Sequence, residues 1–261
     1  AAALTLARAD AAHVNSGTIT VTSLGTLTVT QTGTSPSFTN AAAGTITLAA
    51  SRLFNVSGGT LDLTTGLLDG PMGTLATNGT TLLYTMATAR ARFNLVATTI
   101  PGTVTIAAGD SLVVVGGAIN SPVVNDGLLI AQGTVTLGGA LSNPGTLRVR
   151  GSAAYGTGAL TVTNGFTNAG AIELTNIDGG YIATLTVTTG TLVNGATGTI
   201  TAVAGLGGTR TITAAVLENL GVITLNAATT LSAVLDQRST LTVAAALTLA
   251  RADAAHVNSG T

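Results

Sequence analysis

Two pairs of arginines have the residue type and spacing best suited to binding an anion. Arg90 and Arg92 lie two residues apart, as do Arg148 and Arg150, so each pair shares one face if its segment is a β-strand. Together these faces could line a groove for an anionic glycan or for a neighbouring filament. The alternative, which we favour, is a charged outward face that keeps sheets from associating sideways.

The segment from Tyr84 to Phe93 is the least repetitive and most aromatic part of the chain. Binding residues concentrate on loops that a rigid scaffold positions. If one coil of the protein binds a ligand, the sequence therefore predicts that it is this one, through Tyr84 and the arginine pair that follows.

Neither the acidic residues nor the histidine indicates a catalytic or metal-binding cluster. The ten acidic residues are spread thinly, which is typical of a solubilising surface, although Asp62 and Glu173 could each approach an acid one coil away. His13, repeated as His256, occupies a position that is filled elsewhere by Phe or Leu, so we expect it to be partly buried. With no cysteine and no second histidine nearby, we expect no zinc site, no cofactor and no enzymatic activity.

The composition excludes several classes of partner. Charged residues make up 7% of the chain, and the net charge of −1 leaves no basic surface for nucleic acid. No apolar run reaches the roughly 18 residues that a membrane-spanning helix needs. Hydrophobic residues make up 46% of the chain, which is ample for a large core.

A short phrase recurs along the chain: an apolar residue, any residue, asparagine, a short gap, glycine, and then alternating polar and apolar residues. Successive glycines of this phrase are mostly 18 to 28 residues apart. Asparagine and glycine tolerate left-handed backbone, and stacked asparagine amides can hydrogen-bond from coil to coil. We therefore predict a corner ladder that consists of Asn15, Asn40, Asn125, Asn143, Asn168, Asn194 and Asn219.

Short runs between these corners alternate strictly between threonine and aliphatic residues, which indicates strands with one buried face. Strands of four to six residues at such a period predict an all-β fold, a right-handed parallel β-helix (β-solenoid) of roughly ten or eleven coils. An antiparallel sandwich is the rival, but it needs hairpins and does not explain the coil-like period. The predicted inward residues are Ile19, Val21, Leu27, Val29, Ile46, Leu48, Val104, Ile106, Val135, Leu137, Leu147, Val149, Ile172, Leu174, Ile200, Ile223 and Leu225.

The first and last 18 residues are identical, since 1–18 and 244–261 both read AAALTLARADAAHVNSGT. The two copies lie 243 residues apart, which indicates one period and an overlap from a longer tandem array. We expect a single continuous solenoid over 1–261. Its expected partners are adjacent identical repeats, stacked end to end, with self-association into fibres.

The phrases at Leu141–Val149 (LSNPGTLRV) and Phe166–Leu174 (FTNAGAIEL) resemble the coils of bacterial autotransporter passengers and filamentous haemagglutinin-like adhesins. The resemblance covers nearly the whole chain and is weakest over 64–100. It implies a secreted or cell-surface bacterial protein with a structural or adhesive role, and it supplies no catalytic motif.

Three functions follow as hypotheses. The first is a stiff stalk, filament or sheath, outside the cell or on a bacterial surface. The second is an adhesin that binds glycans or cells through a site near 84–93. The third is an ice-binding solenoid, because Thr-x-Thr pairs such as Thr184/Thr186 and Thr211/Thr213 recur, although the uneven coil length disfavours it.

Overall fold

The fold consists of short strands that pair in parallel from one coil to the next. The computed structural model describes residues 2–251, 253 and 255–261; these are all-β, without helix, in a β-solenoid of about 12 turns. The predicted fold class is confirmed, and the number of turns is slightly above the ten or eleven predicted. Ala1, Ala252 and Ala254, which belong to the duplicated ends, lie outside the described residues.

The chain divides into two compact units. Unit 1 comprises Ala1–Gly102 and Gly116–Ile119, and unit 2 comprises Thr103–Val115 and Asn120–Thr261. The expectation of a single continuous domain over 1–261 stays a prediction.

The first eleven strands lie in unit 1. Their bounds are β1 (Ala2–Leu6), β2 (Ala12–Asn15), β3 (Thr18–Val21), β4 (Gly25–Thr30), β5 (Ser37–Asn40), β6 (Thr45–Leu48), β7 (Leu53–Ser57), β8 (Thr60–Leu63), β9 (Leu67–Asn78), β10 (Thr81–Tyr84) and β11 (Ala89–Val96). Successive coils pair in parallel, for example β2 with β5 and β5 with β8.

Unit 2 carries the remaining strands, apart from the last four residues of β13, which belong to unit 1. Their bounds are β12 (Val104–Ile106), β13 (Ser111–Ile119), β14 (Val123–Asn125), β15 (Leu128–Ala131), β16 (Thr134–Leu137), β17 (Leu141–Ser142), β18 (Thr146–Gly151), β19 (Gly158–Asn168), β20 (Ala171–Asn176), β21 (Ala183–Asn194), β22 (Thr199–Ala202), β23 (Arg210–Asn219), β24 (Val222–Leu225), β25 (Thr229–Gln237), β26 (Thr240–Val243), β27 (Leu247–Leu249) and β28 (Val257–Asn258).

The core follows the alternation of the sequence. Sixteen of the seventeen predicted inward residues are buried, and the register sets them above one another, as in the column Leu147, Ile172, Ile200 and Ile223. Each fully buried aliphatic side chain contributes about 1.5–3 kcal/mol to folding. Ile19 is the exception and is half-buried, because it lies on the first turn of unit 1, where β6 covers one side of β3.

The glycine of the repeated phrase allows one corner to rest on the next. A Cβ atom on Gly170 would overlap the carbonyl oxygens of Gly145 and Pro144 in the neighbouring coil. A Cβ atom on Gly221 would likewise overlap the carbonyl oxygen of Gly198. The phrase therefore contains glycine because of close backbone approach between coils.

Candidate functional site

An amide ladder runs through the corner of unit 2. Each buried asparagine donates from Nδ2 to the side-chain oxygen of the next coil. The donor–acceptor distances are 2.6 Å from Asn125 to Asn143, 2.7 Å from Asn143 to Asn168, 2.9 Å from Asn168 to Asn194, 2.7 Å from Asn194 to Asn219 and 2.9 Å from Asn219 to Gln237. In unit 1, Asn15 donates to Asn40 over 2.8 Å.

Each asparagine of the ladder also donates to a backbone carbonyl. Nδ2 of Asn168 lies 3.1 Å from the carbonyl oxygen of Thr199, and Nδ2 of Asn194 lies 3.2 Å from that of Val222. These groups are buried in a region of low dielectric, where a fully paired polar network fixes one register and a broken one is costly. The ladder therefore holds neighbouring coils at a single alignment.

The two ends of the unit 2 ladder differ. The Oδ1 atom of Asn125 is buried and has no hydrogen-bond donor among the described residues, because the register sets Ile106 in the preceding position. At the other end, Nε2 of Gln237 is buried and has no acceptor within the described part of the chain. The ladder therefore has an unpaired acceptor at its Asn125 end and an unpaired donor at its Gln237 end.

The predicted binding segment in unit 1 forms a strand, a turn and a strand rather than a loose loop. Arg90 is exposed and lies opposite Asp69 in the register of β11 and β9. Arg92 is half-buried, and its Nη2 atom lies 3.1 Å from Sδ of Met72. Both arginines are on the outward side of β11, as the two-residue spacing predicts.

Tyr84 does not share that outward surface. Its ring packs edge-on against Phe93, with ring centroids 5.1 Å apart, and its hydroxyl is buried without a hydrogen-bond partner in the described residues. Burial raises the pKa of the Tyr84 hydroxyl well above its usual value. The residue is half-buried with its hydroxyl out of contact with solvent, so a ligand at the surface of β11 would meet the arginines and not this hydroxyl.

Arg148 and Arg150 lie on one outward face of β18 in unit 2. Nε of Arg148 pairs with Oε2 of Glu173 over 2.6 Å, and Nη2 of Arg150 donates to Oε1 of Gln132 over 3.0 Å. An open groove beside them is lined by both arginines, Glu173 and Thr175. Because Glu173 neutralises Arg148, the net positive charge offered to an anion in this groove is small.

A second charged cluster lies on the outward side of β23 and β25. Glu218 and Asp236 are direct neighbours in the register, and such like charges repel one another. Arg238 bridges them, with Nη2 at 2.6 Å from Asp236 and Nη1 at 3.2 Å from Glu218. The hydrogen bond from Arg238 lowers the pKa of the Asp236 carboxyl. The arrangement offsets an unfavourable charge pair and brings no reactive groups together.

The remaining titratable residues stay apart. Across the described residues, no group of three histidine or acidic side chains is placed to hold a metal ion. Asp62 accepts hydrogen bonds from the backbone and hydroxyl of Thr64, next to it in its own coil. His13 lies beside Phe38 in the register, and its Nε2 atom is buried without a partner in the described region.

Arg210 is a buried residue that the sequence analysis did not select. It is 0% exposed, because it lies on the same side of β23 as Ile212 and Ala214, which point into the core. Its guanidinium donates to the backbone carbonyls of Leu174, Tyr181, Val203, Gly207 and Gly208. The sequence contains a signal for this burial, because Arg210 lies two residues before Ile212 and therefore on the side of the strand that faces the core.

The buried guanidinium organises two loops of unit 2, residues 177–182 and 203–209. Asn176 assists by bonding to the carbonyls of Tyr181 and Gly207 and by accepting from the amide of Leu206. Burial lowers the pKa of Arg210, and no carboxylate pairs with it in the described residues. Backbone oxygens thus solvate the cation in place of water.

Two columns of hydroxyl side chains follow the outward face of unit 2. One column contains Thr136, Thr161, Thr186, Thr213 and Ser232. The other contains Thr184, Thr211, Thr230 and Thr248. The array stays regular because differences in coil length fall in loops such as 177–182 and in irregularities of β19, β21 and β23 that follow the columns, while the register is unbroken within the columns. Hydroxyls then repeat at ~4.8 Å between coils and ~6.6 Å along a strand.

Comparisons with known proteins assign no family to this arrangement. Within the described residues, no helix has the length and apolar character needed to cross a membrane. No family model, no curated protein and no solved structure matches the chain.

Proposed function

We propose that the chain is a structural repeat module of a long fibre, a stalk, filament or sheath outside the cell or on a bacterial surface. The observation that carries the proposal is the amide ladder of unit 2. It locks successive coils into one register through buried hydrogen bonds. A fold that devotes its buried polar groups to alignment between coils is suited to transmitting force.

The partners in this proposal are other copies of the same sequence, stacked end to end and associating into fibres. The 18-residue identity between 1–18 and 244–261 supports the tandem arrangement. The resemblance of the coils to autotransporter and haemagglutinin-like adhesins supports the surface location. No enzymatic activity is part of the proposal.

Electron microscopy of negatively stained native material tests the fibre. We expect elongated particles whose length is unchanged by the double substitution Arg90→Ala and Arg92→Ala, because both side chains lie outward and leave the core intact. Arg8→Ala, at another exposed arginine of unit 1, is the control. Compact particles in the native material would contradict the proposal.

The same variants separate the fibre from an adhesin. Binding to a glycan array or to cells that disappears in the double variant, and persists in Arg8→Ala, would establish the adhesin with its site on β11. Binding that ignores the double substitution would remove residues 84–93 as the site.

Ice binding is the second candidate, and the two hydroxyl columns of unit 2 favour it. A surface of evenly spaced hydroxyl and methyl groups is what a solenoid would present to an ordered water lattice. The uneven coil length is a weaker objection, because its variation lies outside the two columns, in loops and in irregularities later in the strands.

Thermal hysteresis of a cooled solution tests this second function. If unit 2 binds ice, Thr186→Lys combined with Thr213→Lys removes the hysteresis, because two long cations interrupt the centre of one column. Thr201→Lys with Thr224→Lys, neighbours in β22 and β24, is the matched control on a different strand set. An unaltered solution without hysteresis would exclude ice binding.

A further inference from the structure

We propose that one copy of the 243-residue period joins the next inside a coil, without linker or cap. Residues 244–261 of one copy then serve as residues 1–18 of the next, and β26 pairs with Thr18–Val21 of that next copy. The inference deepens the proposed function, and it rests on the proposal that the period recurs in tandem.

The structure contains both sides of this joint. The first copy of the 18-residue segment is covered on one side, by β4 and β5 in unit 1. The second copy, in unit 2, lies on β25. The same sequence is therefore seen once with its following coil and once with its preceding coil.

The segment has the same residues facing inward in its pairing with the preceding coil and in its pairing with the following coil. Leu249 lies on Leu231, and the identical residue Leu6 lies under Val29, so this column would stack aliphatic residues across the joint. In the neighbouring column Leu247 lies on the buried Thr229, and its counterpart Leu4 lies under Leu27. At the corner, the joint would stack three amides in the order Gln237, Asn15 and Asn40. A slip of one residue would put the outward threonines of β1 and β4 into the core.

The corner hydrogen bonds to the two sides use different backbone groups. Towards the preceding coil, the amides of Ser259 and Thr261 donate to Gln237 and Ser239. Towards the following coil, the carbonyls of Asn15 and Gly17 accept from Ala41 and Thr45. Since Ser259 and Thr261 correspond to Ser16 and Thr18, no group is needed twice. One segment can therefore make both sets of bonds at once.

The strand that follows the segment would fill an open face. The amide of Leu241 donates to the carbonyl of Thr261, which starts a parallel ladder beside β26. Continued in the same register, Ile19 of the next copy falls on Leu241 and Val21 falls on Val243. Val243 is 46% exposed at present, so the joint would bury it.

Two residues of the segment make sense only at such a joint. Gly17 has open space around its Cα and no left-handed backbone, whereas Gly260 rests on the backbone of Ser239, which leaves no room for a Cβ atom. Asn15 is 9% exposed beneath Asn40, whereas Asn258 is exposed. Each copy lacks the contact that the other one has.

Hydrogen exchange, followed by mass spectrometry, tests the joint in a two-period chain in which residues 1–261 continue directly into a second copy of 19–261. We expect amides over 240–261 to exchange about tenfold more slowly, or slower still, than in the single-period chain. Gly260→Ala should abolish that protection, and Gly17→Ala should leave the exchange rates unchanged.

The matched control inserts one threonine between Thr261 and the second Ile19, which shifts the register by one residue. Equal exchange over 240–261 in the two-period chain, the insertion variant and the single chain would overturn the proposal. Loss of protection in β21 and β23 on extension would also overturn it, because an in-phase joint leaves these strands undisturbed. The result does not depend on fibre shape in the microscope, so either proposal can fail while the other stands.

Discussion

Replacing Asn168 with alanine is expected to lower the stability of unit 2 by about 4 kcal/mol. The substitution removes two hydrogen bonds of the ladder, so that Oδ1 of Asn194 is buried without its donor and Nδ2 of Asn143 keeps only its bond to the carbonyl of Ala171. An unpaired buried polar group costs about 1–3 kcal/mol, and here one such group, one half-paired amide and a small cavity are created together. Urea denaturation followed by circular dichroism measures the change.

Thr167→Ala is the matched control, because this neighbour in β19 is exposed. We expect it to change the stability by less than about 0.5 kcal/mol. Asn168→Leu should be nearly as damaging as Asn168→Ala, because leucine fills the space but neither accepts from Asn143 nor donates to Asn194. If leucine restored the stability, the ladder would matter as packing and not as a hydrogen-bonded network.

Replacing Arg210 with methionine is expected to cost about 3 kcal/mol or more. Five carbonyl oxygens would lose the guanidinium, and those of Val203 and Gly208 would keep no other donor among the described residues, because Asn176 and the N–H of Val203 serve only the other three. The stability of Arg210→Lys should lie between that of the unaltered protein and that of Arg210→Met. An ammonium group offers three donors from one point in place of the planar fork of a guanidinium. The shift in the urea midpoint measures the loss, and hydrogen exchange over 177–182 and 203–209 locates it.

Arg148→Met provides the comparison, because it removes an arginine of the same unit whose side chain is 31% exposed and paired at the surface. Such a pair contributes about 1 kcal/mol at most. Equal midpoints for Arg148→Met and Arg210→Met would show that the buried guanidinium does not hold the loops.

Strand positions and the buried face could be predicted from the sequence because each strand repeats a two-residue pattern. Val149 and Leu174 are buried as predicted, and neither needed knowledge of the neighbouring coil. The corner asparagines could be aligned because the same phrase returns at a coil-like interval. At these positions the alternation within a strand and the stacking between coils require the same residue types. The fold class could therefore be predicted from the alternation alone.

Departures from the pattern were harder to predict. Arg210 lies on the inward phase, but its partners come from loops whose conformation the sequence does not specify. Gln237 extends the asparagine ladder although it is one methylene longer, and only the register of β23 with β25 shows it. The hydroxyl of Tyr84 is buried by the packing of its ring on Phe93, which no spacing rule predicts.

The amide ladder gives unit 2 a polarity. Every side-chain dipole in the column points the same way, so each bond polarises the next one. The acceptor end, Oδ1 of Asn125, lies next to Ile106 of the preceding coil, whereas the donor end, Nε2 of Gln237, lies next to another amide residue, Asn258. The column can therefore be extended only past Gln237, and Asn15, the counterpart of Asn258, already donates towards its own following coil in the same direction.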